Sequence, residues 1–127
     1  MIVQWLRDSG PTYFERRRGL DRFKEAQRPI RDQIKKELIA GRKVSHWMWF
    51  VFPQAKGLGT SRTSRVFALS PKEARAYRAD DELANFYAVC TMLVLHHLEH
   101  GLELEDIFGG VDAQKFRSSM ELFRDLP

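Results

Sequence analysis

The residues best able to do chemistry crowd into one stretch of this chain, between His46 and Ser64. An unperturbed histidine titrates near neutrality, so His46 could serve as acid or base. Trp47 and Trp49 offer flat faces for a base or other ring, and Gln54 adds an amide. Gly57-Leu58-Gly59 can take left-handed turns whose N–H groups gather round an anion, and Ser61 and Ser64 contribute hydroxyl donors. Lys56, Arg62 and Arg65 bring cations that pair with phosphate. Downstream, the spacing of Asp112, Lys115 and Ser119 puts them near one helix face. If the fold carried Lys115 and Ser119 to His46, the patch would gain a cation and a nucleophile. The pattern predicts a ligand site built from His46, Trp47, Trp49, Gln54, Gly57, Gly59, Ser61, Ser64, Lys115 and Ser119. Its occupant would be a small anion, phosphate- or nucleotide-containing, and no residue is assigned a catalytic role.

Each of these signals has a plainer reading. Both tryptophans could be core, the glycine pair a tight loop, and Asp112 with Lys115 a helix cap and an internal ion pair. No strand-loop-helix phosphate motif accompanies the glycines, and no motif specifies a cofactor. His96-His97-Leu98-Glu99-His100 contains the inverted zinc-peptidase spacing, with His96 and His100 one helical turn apart. Such an enzyme needs a third ligand on a larger scaffold, and a helix C-terminus favours histidine without any metal, so no metal site is assigned.

The elements that must position these residues are mostly helical. Leu20, Phe23, Gln27, Ile30, Ile34 and Leu38 recur at helical spacing, with Pro29 as an interruption and Gly41 as a stop. Trp47 to Phe52 is a run of bulky apolar residues whose propensity favours a buried strand, while its length leaves a buried helix equally open. Ser70-Pro71-Lys72-Glu73 combines an N-cap serine, a first-turn proline and a capping-box glutamate, which predicts a helix over about 71–78. Asp80 or Asp81 caps the next, with Leu83, Phe86, Tyr87, Cys90, Leu93, Val94 and Leu98 inward and Gly101 closing it. A short turn over 104–108 leads to Gly109-Gly110, and Asp112 is expected to cap a last helix through Phe116, Met120 and Phe123.

Length and composition suit one domain: 127 residues, 43% hydrophobic and 30% charged. The longest apolar run, 86–95, is well short of the roughly 20 residues needed to span a bilayer. A single cysteine, Cys90, excludes an intramolecular disulfide, and with no apolar leader at the N-terminus the expected location is cytoplasmic. Residues 1–43 hold 12 Lys and Arg against 6 Asp and Glu, and the remainder is net acidic. That asymmetry supports a second reading, an interaction module for protein or nucleic acid using the basic half. Nucleic acid is disfavoured, because no reading motif accompanies the charge. Oligomeric state is left open.

Leu20-Asp21-Arg22-Phe23 with Ala26-Gln27, Ser45-His46-Trp47-Met48-Trp49-Phe50 with Phe52-Pro53-Gln54, Gly57-Leu58-Gly59 with Ser61 and Ser64, Ile107-Phe108-Gly109 with Asp112 and Lys115, and Ser118-Ser119-Met120 with Leu122-Phe123 resemble a bacterial family, domain of unknown function 1810. The resemblance covers about Leu20 to Phe123. It implies an all-α, single compact multi-helix domain over 20–127, and no established activity. A short extended segment near 47–52 is kept open within it. Residues 1–19 fall outside the family pattern and read as a loosely ordered leader, and the family's C-terminal helical stretch is expected to be missing beyond Pro127.

Overall fold

The computed structural model describes residues 19–126, and these form an all-α domain. In chain order they build α1 (Asp21–Gln27), a 3-10 turn (Arg28–Ile30), α2 (Arg31–Ala40), α3 (Met48–Val51), α4 (Arg62–Phe67), α5 (Pro71–Ala79), α6 (Asp81–Glu99) and α7 (Leu104–Arg124). Apart from Gly19, the expected leader lies outside the described residues.

Local chemistry sets most of the boundaries. Pro29 lacks an N–H and cannot sit inside a regular helix, and the chain answers with the 3-10 turn between α1 and α2. α2 ends at Gly41, whose φ of 77° places it in the left-handed region open to glycine. Ser70 and Glu73 form the reciprocal capping box at the start of α5, with Pro71 at its first position. The Asp80 carboxylate accepts from the Leu83 N–H at 3.0 Å and so caps α6.

Two expectations are corrected. The segment 47–52 is not extended: Met48–Val51 makes one turn of helix, its last N–H bonds held within it, because Met48, Phe50 and Val51 can all bury their side chains that way. Asp112 does not cap the last helix. Helix α7 already starts at Leu104 and bends at Gly109 (φ 76°, ψ 174°), so Asp112 falls inside the first turn after the bend, its carboxylate free for side-chain partners.

Phe52 is the hub of the core. Its ring lies 5.0 Å from Phe116, 5.6 Å from Tyr87, 5.9 Å from Phe108 and 6.3 Å from Trp47. Phe52, at the end of α3, thus packs between α6 and α7, while α3 itself lies against α1 and α4. Arg22, buried on α1, donates to the carbonyls of Val66 (2.8 Å) and Ala68 (3.2 Å), satisfying the end of α4, and pairs with Glu73 at 3.1 Å.

Candidate functional site

The loop between α3 and α4 is closed at its base. Leu69 donates its N–H to the Gln54 carbonyl (2.9 Å) and Lys56 donates to the Leu69 carbonyl (3.1 Å), around an isolated parallel bridge between Ala55 and Leu69. Gln54 is buried, and its amide donates to the carbonyls of Phe52 (3.0 Å) and Lys115 (2.7 Å). That second bond fastens the loop base to α7 at the residue whose ammonium matters most. Lys115 Nζ lies 4.5 Å from the centroid of the half-buried Trp49 ring, within cation–π range.

Gly59 completes this corner from the loop side. A Cβ there would lie 2.6 Å from Ser64 Cβ and 2.9 Å from the edge of the Trp49 ring, so only glycine lets the loop approach so closely. Ser61 and Ser64 are occupied in building the loop: the Ser61 hydroxyl caps α4 through the Ser64 N–H (3.1 Å), and the Ser64 hydroxyl donates to the Ser61 carbonyl (2.7 Å). Lys56, Arg62 and Arg65 are exposed around the rim, with Arg65 bonded to the Thr60 carbonyl at 2.7 Å.

Thus Trp49, Gly59, Ser64 and Lys115 meet, with Gln54 bracing them from behind. The other predicted residues go elsewhere. Trp47 is 1% exposed, and its indole N–H donates to Glu37 at 3.0 Å, so neither of its faces receives a ligand. Ser119 is fully buried and shares a 2.9 Å hydrogen bond with the Tyr87 hydroxyl, which takes the supposed nucleophile away from the patch. Gly57 stands clear of other atoms and supplies a turn at φ 90°. His46 is exposed and makes no hydrogen bond or ion pair among the described residues.

Two acids that the sequence reading did not place in the site organise it. Asp112 bridges Lys43 (2.8 Å) and Lys115 (3.1 Å). Burial would raise its pKa, but hydrogen bonds and charge from the two lysines outweigh this and hold its carboxyl below the usual range. Lys43 also sits 5.2 Å from the Trp47 ring centroid, so the two tryptophans carry a lysine each and the lysines share one carboxylate. Glu37 is buried and accepts from the N–H groups of Val44 (2.7 Å) and Ser45 (2.9 Å), the Ser45 hydroxyl (2.6 Å), Gln33 (2.9 Å) and Trp47. Burial opposes its charge, yet these donors pull its pKa down to about 2. Its sequence signal was available: Glu37 stands on the inward side of α2 between Ile34 and Leu38, where an acid must find donors.

At the far end of α6, the His96 and His100 rings pack 4.3 Å apart, and His97 bonds the Leu38 carbonyl through Nε2 at 2.7 Å. Among the described residues, no group of three His, Cys, Asp or Glu side chains gathers where it could hold a metal ion. No helix there is long and apolar enough to cross a membrane.

A helical domain in which a tryptophan–lysine pair is roofed by a glycine loop defines a class by its architecture, not by a reaction. Residues 17–127 match the family described as protein of unknown function DUF1810, and the chain belongs to it. Its fold is similar to the crystal structure, at 1.38 Å, of a conserved hypothetical protein from Mycobacterium tuberculosis, with a TM-score of 0.80 and 44% sequence identity, covering 85% of this chain and 76% of that one. No curated protein matches the chain.

Proposed function

We propose that the corner of Trp49, Gly59, Ser64 and Lys115 is a binding site for a small anionic ligand carrying a flat ring. The observation that supports this most is the Lys115 ammonium poised 4.5 Å from the Trp49 ring centroid, on a partly exposed lysine. A phosphate would draw the ammonium towards itself and leave the indole face to the ring. Lys43 and Lys115 together exceed the single charge of Asp112, so the set keeps one net positive charge for an anion. The exposed Lys56 and Arg62 of the same loop segment add further donors.

The alternative, a basic interaction module, has less to rest on. Arg22 pairs with Glu73, Lys24 with Asp80, Arg28 and Arg31 with Glu82, and Lys43 with Asp112, so these five of the eight cations described in the basic half are paired within the fold. Such pairs leave little field to attract a polyanion.

The test is a thermal-shift series with AMP, pyrophosphate and glucose 6-phosphate on the wild-type chain and on Lys115→Met. Binding to the native state raises the midpoint by mass action. AMP should raise it in the wild type and fail to do so in Lys115→Met. A rise with pyrophosphate that AMP does not exceed would remove the ring-stacking part of the proposal. Flat midpoints with all three at millimolar concentration would overturn it.

A further inference from the structure

Asp112 stands just after the Gly109 bend of α7, three residues before Lys115, and its two oxygens are divided. Oδ2 lies 2.8 Å from the Lys43 ammonium, and Oδ1 lies 3.1 Å from that of Lys115. The Lys43 side chain is 9% exposed, and its ammonium sits 5.2 Å from the Trp47 ring centroid on the closed side. Lys115, 22% exposed, is the lysine beside Trp49. Of the two lysines, then, Lys115 meets the open corner, and it carries a carboxylate with it.

That carboxylate limits what Lys115 can accept. An anion oxygen bonded to an ammonium stands about 2.7–2.9 Å from it, so one held by Lys115 lies at most about 6 Å from Asp112 Oδ1. Salt screens charge over roughly 8–10 Å, so at this separation the two negative charges repel. A new Lys115 rotamer does not remove the repulsion, because residues three apart on a helix remain neighbours. Asp112 also stays ionised. Burial would raise its pKa, but the two lysines outweigh this and hold its carboxyl below the usual range. One negative charge on a ligand neutralises the set of Lys43, Lys115 and Asp112, and a second is met only by repulsion from Asp112. Lys56 and Arg62 are exposed, and water screens their charges far more than it screens the partly buried aspartate.

We infer that Asp112 sets the specificity of the Trp49 corner, favouring a ring-bearing ligand with a singly charged phosphodiester over one with a doubly charged phosphomonoester. This rests on the corner being an anion site, as proposed above, and adds the class of anion it takes. Asp112 acts through Lys115 and is a positioning residue, with no contact of its own to the ligand.

Cyclic AMP and AMP share a base and differ in phosphate charge, so they are the probes. Heteronuclear NMR titrations of the full chain, followed at the Trp49 indole N–H, give a dissociation constant for each. At about pH 8, where a phosphomonoester is doubly charged, the wild type should bind cyclic AMP more tightly than AMP. Asp112→Asn should shift the ratio of the two constants towards AMP by about fivefold or more, as removal of a like charge about 6 Å away requires. A merely structural aspartate would weaken both ligands alike and leave the ratio where it was. At about pH 5 the AMP phosphate regains a proton, and the gap should narrow in the wild type. Should Asp112→Asn lose helical content, Lys43→Met takes its place, and there the ratio should move the other way.

A ratio unmoved by the substitution, a wild type that prefers AMP at about pH 8, or a gap unchanged at about pH 5 would overturn the inference while leaving the corner a binding site. No response at Trp49 to either ligand would remove the corner as a site, and the inference with it.

Discussion

Trp47 and Trp49 stand two residues apart in one short turn, and the fold uses them in opposite ways. Trp47 is sealed: its ring packs on Phe52 and Phe108, its N–H is taken by Glu37, and Lys43 covers its face. Trp49 keeps part of its ring open beneath the partly exposed Lys115. The sealed side is where every donor has a buried acceptor, and its contribution is to stability. On the open side, polar groups stand exposed at the rim, where the proposed ligand would bind. Asp112 joins the two sides by holding both lysines, so the open corner takes its rigidity from the sealed one.

That contrast can be broken by substitution. The largest effect belongs to Trp47→Ala, which empties a packed site and removes one of the five donors to the Glu37 carboxylate, at about 3–5 kcal/mol of unfolding free energy. Trp49→Ala should cost about 1–2 kcal/mol, in keeping with its partial exposure. Urea denaturation of the two variants measures the gap, and equal losses would erase the distinction between sealed and open sides.

Glu37→Gln comes next. It removes a charge that receives five hydrogen bonds and presents an amide N–H₂ to donors, for an expected loss of about 2–3 kcal/mol. The sign with pH follows from the depressed pKa. Glu37 titrates at about 2 in the folded chain against an ordinary 4.5, so its stabilisation is fully present above about 4.5 and is lost as pH falls towards 2. The variant's unfolding free energy should consequently fall less steeply than the wild type's across that window. Matching slopes would mean that the loop 42–47 is held by something other than this carboxylate.

The smallest effect sharpens the open side. Gly59→Ala must displace Ser64 or the Trp49 ring, at about 1–2 kcal/mol, and should alter the Trp49 emission. Gly57→Ala meets open space, and its cost of about 1 kcal/mol comes from the positive φ alone, with no change in emission. Fluorescence of the two variants side by side separates crowding from backbone strain.

Much of the helical plan was legible from the chain because its signals are local. Pro29, Gly41, the Ser70–Glu73 box and the Asp80 cap act within a few residues of themselves, and backbone hydrogen bonding leaves each one outcome. The candidate site was legible only as a neighbourhood. Trp47 and Trp49 share composition and flanks, and which of them is buried depends on Phe108 and Phe116, far along the chain. Ser119 and Lys115 lie one helical turn apart, yet Tyr87 on α6 claims the first and Trp49 on α3 sits under the second. Asp112 looked like a cap because a glycine pair precedes it, but the bend falls earlier, at Gly109.

By itself, then, the sequence determined most of the helices, their main starts and stops, and the stretch in which unusual chemistry gathers, while leaving 47–52 open between strand and helix. Tertiary structure alone decided which tryptophan is sealed, which lysine reaches a ring, and that Arg22, Lys24, Arg28, Arg31 and Lys43 of the cation-rich front half meet carboxylates distant in the chain. The physical reason is range: caps and turns are settled by bonds between near neighbours, whereas burial and ion pairing depend on which helices meet.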